Sequence, residues 1–303
     1  MKNSTQTRSL SSPNLQIFGR VYAVLAYSSW GLLPIYWKFL GQIPAVEVLS
    51  HRILWSTVFL SGLLFLQKPR PDLTQLWRSP KQLSILLTTA ALLAFNWGVY
   101  IYGVNTDRVV ETSLGYYINP LMNVLLGYVF LQERLHWSQG IAVILASIGV
   151  AYFVWQFGAV PWIALGLAFS FALYGLLRKI IQVSPMLGLG VETLLITPVA
   201  LVLVIYWEAT GVGHFGSTWS ITLLFIGAGV ITSLPLLWFN KAAKQLRLST
   251  LGFFQYLGPT FALLLGVFLY HEPFTPTHAI TFGFIWSALI LFSSTSLMLR
   301  PTR

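Results

Sequence analysis

Residues 111–135 read ETSLGYYINPLMNVLLGYVFLQERL, and residues 248–274 read LSTLGFFQYLGPTFALLLGVFLYHEPF. Each run is apolar enough for a membrane helix, which needs about 20 mostly apolar residues. Each carries a proline in its middle and a glutamate near its end. Tyr117, Pro120, Gly127 and Glu133 stand 139 residues before Tyr256, Pro259, Gly266 and Glu272. Upstream, Leu114-Gly115 precedes Leu251-Gly252 by 137 residues, so the second copy carries a two-residue insertion. Arg20–Lys38 aligns more loosely with Val160–Arg178, at a spacing of 140. The chain reads as one sentence written twice.

Composition sets the solvent. The 303 residues are 56% hydrophobic and 9% charged, whereas a soluble domain carries about 25% charged residues. This is the composition of an all-α integral membrane protein. Ten spans fit the length rule, at roughly 19–39, 45–67, 83–104, 112–131, 137–157, 160–180, 185–207, 218–239, 249–270 and 277–298. None alternates apolar and polar as a barrel strand would. The polar residues 1–16 are expected to be a disordered tail, as are 299–303. The first apolar stretch is too long, and lacks the small-residue cleavage site, for a signal peptide.

Charge orients the spans. The net charge is +10, from 18 Lys/Arg against 8 Asp/Glu. On a soluble chain this would suggest nucleic acid; on a membrane chain it marks cytoplasmic loops. With the amino terminus inside, 15 of the 18 basic residues fall on the cytoplasmic side, leaving Lys38, Arg52 and Arg108. Both termini are therefore expected in the cytoplasm of a bacterial inner membrane. Ten spans in two copies give five each, residues 17–157 and 158–298. Five is odd, so the second copy is expected upside down. Inverted five-helix repeats are typical of secondary transporters.

The phrases AYSSWGLLPIYWK (26–38), HRILWS (51–56), NWGVYIYGVN (96–105), ETSLGYYINPLMNVLLG (111–127), LGLAFSFALYGLLRK (165–179) and LRLSTLGFFQYLGPT (246–260) carry a family resemblance. The sequence resembles the EamA domains of the drug/metabolite transporter superfamily, and more closely its RarD-type branch, named for chloramphenicol sensitivity. That resemblance implies ten helices in two inverted halves and a central path. It also implies ATP-independent export or exchange of small metabolites or drugs.

The residues themselves suggest where a path could run. Proline removes a backbone hydrogen bond and frees a carbonyl, which in lipid must be satisfied by protein or by a wet cavity. Pro120, Gly258 and Pro259 are therefore expected as hinges, lined by Tyr116, Tyr117, Asn119, Gln255 and Tyr256. Asn96 and Trp97 in the third span, Trp30 and Tyr36 in the first, Tyr174 in the sixth and Trp238 in the eighth offer broad contact with a polar tip. The alternative for each is packing around kinks or anchoring at an interface.

Arg52 and Glu192 lie about seven residues into the second and seventh spans, at matching repeat positions. Ionisable groups inside membranes are costly and mark pathways or relays. Entering from opposite faces, the two are expected to bracket a site rather than touch. Arg52 would attract an anionic group of the cargo, and Glu192 a proton or a cationic group. The alternative is that each caps a neighbouring helix end. His51, one turn from Glu47, is a weaker coupling candidate. Lys38, Glu47, Asp107, Arg108 and Glu111 lie near the outer face and read as solvated loop charges, with an outer gate as the alternative. Glu133-Arg134 and His271-Glu272 read as interfacial anchors, with gate pairs as the alternative.

Other chemistry lacks its residues. With 0 cysteines there is no thiolate site, and the five histidines show no metal spacing, so neither a metal nor a cofactor is expected. Gly211–Gly216 matches G-x-G-x-x-G but follows no strand, so it is read as a loop. No phosphate loop, nucleophile elbow or zinc-protease motif occurs, so the chain is not expected to be an enzyme. Its expected partners are a small-molecule substrate and the lipid bilayer, not nucleic acid; a homodimer is compatible with the sequence.

Overall fold

Long apolar runs leave the backbone only itself to bond with, and the result is helices throughout. The computed structural model describes residues 13–68, 79–132, 136–181, 183–246 and 254–298. Every regular element among them is helical. In chain order these are α1 (Pro13–Lys38), α2 (Ala45–Leu66), α3 (Pro80–Asn105), α4 (Val109–Leu131), α5 (Trp137–Phe157), α6 (Trp162–Ile180), α7 (Pro185–Thr210), α8 (Trp219–Gln245), α9 (Leu257–Leu264) and α10 (Pro276–Met298). Among the described residues, six stretches, within α2, α3, α5, α7, α8 and α10, are long and apolar enough to cross a membrane. Glu133, Arg134, residues 249–253 of the ninth expected span, and tail residues 1–12 and 299–303 lie outside the described residues.

Local signals place the ends. Ser79, Ser184 and Thr218 accept from backbone N–H groups three residues on and start α3, α7 and α8. Proline follows the first two, at the position where its missing N–H costs nothing. Gly158 and Gly211 stop α5 and α7 in the left-handed conformation. Gln132 after α4 and His271 after α9 are also left-handed, with φ of 52° and 53°. These two positions are 139 residues apart.

The two proline breaks differ. α4 runs through Pro120. In the second copy Phe254 is helical, residues 255 and 256 form a turn, and α9 starts at Leu257. Pro259 therefore stands in a first turn, where a backbone N–H would have no intrahelical partner and its absence costs nothing. The end of this span is irregular too, as a π-helical turn over Leu265–Leu269.

Packing follows a pattern of five. α2 packs on α7, α4 on α9 and α5 on α10. α1 packs on α8 as α6 does on α3, and α1 packs on α9 as α6 does on α4. α2 against α8 matches α7 against α3. One core gathers Trp37, Val48, Ile101, Leu167 and Phe225; another gathers Leu114, Ala142, Ala164, Phe282 and Ile285. Large apolar side chains such as Phe65, Trp155, Trp219 and Ile290 stay exposed on the outside. A lipid-facing surface requires this and a soluble one forbids it.

Candidate functional site

Arg52 leaves α2 for the middle of the first half. Its side chain is only 4% exposed. The guanidinium lies over the rings of Trp97, at 4.1 Å, and Trp37, at 4.9 Å. Tyr100 and Tyr116 are close enough to interact with its charge, and their rings meet edge to face at 5.8 Å. Neither Nε nor Nη1 has a hydrogen-bond partner, and no carboxylate pairs with Arg52 among the described residues. Two indoles, from α1 and α3, thus lie over one cation, with Tyr100 and Tyr116 nearby.

A belt of amides lies beside this box. Asn96 Nδ2 donates to Leu167 O at 3.1 Å and to Ser170 Oγ at 2.9 Å, both on α6. Its Oδ1 accepts weakly from Tyr116 at 3.4 Å. Asn119 Nδ2 donates to Ala168 O at 3.2 Å, and its Oδ1 accepts from Asn123 at 3.1 Å. The two mid-span amides therefore bond to α6. Tyr117 faces the second half: its hydroxyl shares a 2.6 Å bond with Thr260, and its ring stacks on Tyr256 at 6.4 Å. Ser113 donates to Pro259 O at 2.7 Å, so α4 is bonded to the start of α9. Gln255 is half-buried in the turn before α9.

Glu192 is wholly buried on α7. Thr89 Oγ1 donates to one carboxylate oxygen at 2.7 Å and Tyr174 OH to the other at 3.1 Å. Arg178 approaches at 3.7 Å. The carboxylate thus draws partners from α3 and α6, and it does not meet Arg52. Thr89 and Arg178 were not singled out by sequence. A hydroxyl in mid-span was the only signal for the first, and the second reads as one more cytoplasmic charge.

The remaining candidates scatter. Trp30 packs with Tyr27 and Phe239. The Tyr36 hydroxyl donates to Leu224 O on α8. Trp238 is half-buried on α8. His51 stacks on Phe225 and, less closely, on Phe215. Trp37, absent from the sequence-based set, is nonetheless a wall of the Arg52 box.

Several charges expected as solvated hold the other end of the bundle together. Lys38 pairs with Asp107, and Arg108 with Glu111 at 2.5 Å. Glu272 accepts from the N–H groups of Val109 and Val110, each at 2.7 Å, and so caps α4 from another part of the chain. Glu111 accepts from Ile163 N at 3.1 Å and caps α6. Two apolar grooves of about 310 and 290 Å³, on α7 around Pro198 and between α4 and α5 near Leu121, do not reach Arg52 or Glu192.

The profile of the EamA-like transporter family matches twice, over residues 17–155 and 159–294. The chain belongs to this family, in its RarD-type branch. An uncharacterized transporter of Vibrio cholerae is 49% identical over 276 residues, spanning 91% of each chain. Protein RarD of Escherichia coli K12 is 45% identical, over 90% of this chain and 93% of the relative. A chloramphenicol-sensitive protein RarD of Pseudomonas aeruginosa is 30% identical, over 86% and 88%. One crystal structure superposes over 96% of this chain and all of the other, with a TM-score of 0.58 at 17% identity, a likeness of fold. This EamA protein is a multi-pass membrane protein of a transporter family, which points away from an enzymatic role.

Proposed function

We propose that the chain is an ATP-independent carrier of small amphipathic organic anions in a bacterial inner membrane. It works by alternating access between inverted halves, residues 17–157 and 158–298, with both termini cytoplasmic. One observation carries the cargo class: Arg52, buried among Trp37, Trp97, Tyr100 and Tyr116 with no carboxylate partner among the described residues. Each aromatic face returns about 0.5–2 kcal/mol to the cation. Desolvating the charge costs several kcal/mol. An anion arriving beside Arg52 would recover that difference, and the rings would hold its apolar part.

The halves support the carrier reading. Thr57 and Thr197, 140 residues apart, share a 2.8 Å hydrogen bond. Tyr117 and Tyr256, 139 apart, stack with an interplanar angle of 15°. Equivalent residues meet one another where a twofold axis passes. Two halves so related can rock into inward-open and outward-open states of similar energy.

A proton-coupled version would run through Glu192, or through His51. The uncoupled facilitator or exchanger is favoured by one observation: Glu192 is already matched by Arg178, Thr89 and Tyr174.

The test is uptake into proteoliposomes of a small aromatic carboxylate and of its neutral amide, with and without a pH gradient. Chloramphenicol is a third compound, because one relative is named for sensitivity to it. Arg52→Gln should raise KM for the carboxylate about tenfold or more, a loss of at least about 1.4 kcal/mol of binding. The amide should be unaffected. Wild-type KM for the carboxylate in Arg52→Gln would overturn the assignment. Glu192→Gln should leave the response to the gradient unchanged if transport is uncoupled, and abolish it if coupled. No flux of any compound would favour a non-transporting assembly protein.

A further inference from the structure

The Gly211–Gly216 loop between α7 and α8 joins two parts of the fold. Gly211 and Gly216 have φ of 72° and 82°, a region that side chains rarely adopt. The turns they make carry His214 and Phe215 onto the start of α2. His214 N donates to Glu47 Oε1 at 2.7 Å, and its Nδ1 lies 2.8 Å from Glu47 Oε2. Phe215 N donates to Glu208 Oε1 at 3.2 Å. The Phe215 ring stacks near His51 at 5.2 Å, and the Phe225 ring stacks on it more closely, at 4.0 Å.

His51 is thereby fixed and hidden. It is 2% exposed, and neither ring nitrogen has a hydrogen-bond partner among the described residues. A buried donor or acceptor without a partner costs about 1–3 kcal/mol. One donor atom from each of Glu47, His51 and Glu208 lies within 4.8 Å of the others. Glu47 is as buried as His51, whereas Glu208, at the end of α7, is exposed.

We propose that Glu47, His51 and Glu208 form a binding site for a divalent transition-metal ion of the Zn²⁺ type. One imidazole with two carboxylates is a borderline donor set, suited to Zn²⁺ and its first-row neighbours. Ca²⁺ and Mg²⁺ favour oxygen alone. Ligands at about 2.0–2.2 Å from zinc stand about 3.4 Å from one another, so the donors must close slightly. Glu208, exposed at a helix end and bonded to Phe215 N through one oxygen, is the side chain that moves to do so. It also gives the ion an entry from solvent and leaves room for water as a fourth ligand. His214 is a positioning residue: it holds the Glu47 carboxylate from its far side, as outer partners of metal ligands do. Glu47 and His51 come from the first copy and Glu208 from the second, so the ion would staple α2 to α7.

The experiment is calorimetric titration of Zn²⁺ into the untagged full chain in lipid nanodiscs, with empty nanodiscs as blank. We expect one saturable ion per chain. Glu208→Gln and His51→Leu should each weaken binding more than about tenfold, and His214→Ala about 10–100-fold. His271→Ala, an exposed histidine elsewhere, should bind as the wild type does. Glu208→Gln alters only an exposed side chain, so it reports even if His51→Leu fails to fold. Co²⁺ in place of Zn²⁺ should show the visible absorption of a four-coordinate site, lost in Glu208→Gln. No saturable binding, or wild-type affinity in Glu208→Gln, overturns the site. So does weakening confined to His271→Ala.

Discussion

Gly31→Ala tests the closeness of α1 and α9 at the break before Pro259. A Cβ built at Gly31 would lie 2.6 Å from Gly258 O and 2.7 Å from Phe261 Cβ. Ordinary contact begins near 3.4 Å, so the two helices must part by about 0.8 Å. The obstacle is backbone, which cannot rotate aside as a side chain would. Overpacking of this kind costs about 1–3 kcal/mol, and the better helix propensity of alanine returns at most about 1 kcal/mol. The net loss is up to about 2 kcal/mol. At about 2–4 °C of Tm per kcal/mol, the scale for about 150–250 residues, we expect a fall of up to roughly 8 °C. The assay is thermal unfolding in nanodiscs. Gly62→Ala is the control, because its added Cβ would meet nothing within 4 Å. A Gly31→Ala protein as stable as Gly62→Ala would refute the close packing.

Two further outcomes are expected. Thr57→Val and Thr197→Val should couple in a double-mutant cycle of unfolding free energies by about 0.6 kcal/mol, the average for such bonds in membranes; strict additivity would remove the bond. Glu272 should make stability depend on pH. Burial outweighs the Val109 and Val110 N–H groups and holds its carboxyl above the ordinary range, which centres near about 4.3. The native state keeps this proton at pH values where the unfolded chain has lost it. The stabilisation is full below the unfolded value and is lost as pH rises through the raised native one. Tm measured against pH should therefore fall more across that window for wild type than for Glu272→Gln, and parallel curves would contradict this.

Much of the fold was legible because lipid allows few solutions. Apolar runs of span length become helices, and nine of the ten expected spans coincide with a long described helix. The exception is the ninth. Leu257-Gly258-Pro259 reads the same whether the proline interrupts a helix or starts one, and spacing cannot decide. Two residues that the 139-residue spacing pairs, Tyr117 and Tyr256, do lie against each other. The partners of buried charge were not legible. Glu192 is satisfied by Thr89 on α3 and by Tyr174 and Arg178 on α6, three residues that share no local pattern with it. The Arg52 box likewise draws Trp37 from α1 and Trp97 from α3.

The way each buried ionisable group is satisfied separates structure from function more sharply than burial does. Glu272 spends both carboxylate oxygens on the first N–H groups of α4. Glu47 spends both on His214. Glu192 divides its two between Thr89, Tyr174 and Arg178. For Glu272 and Glu192 these bonds account for the carboxylate's place by a structural role, whereas the Glu47 carboxylate, held by His214, also serves the metal site proposed above. Arg52 differs in kind. Its neighbours are faces of rings, which return part of the charge's lost hydration and accept no hydrogen bond in the plane of the guanidinium. A fold built for stability alone would gain by placing an apolar side chain there. A planar fork of donors lying over two indoles, with Nε and Nη1 left unbonded, is what supports the proposed recognition of a carboxylate.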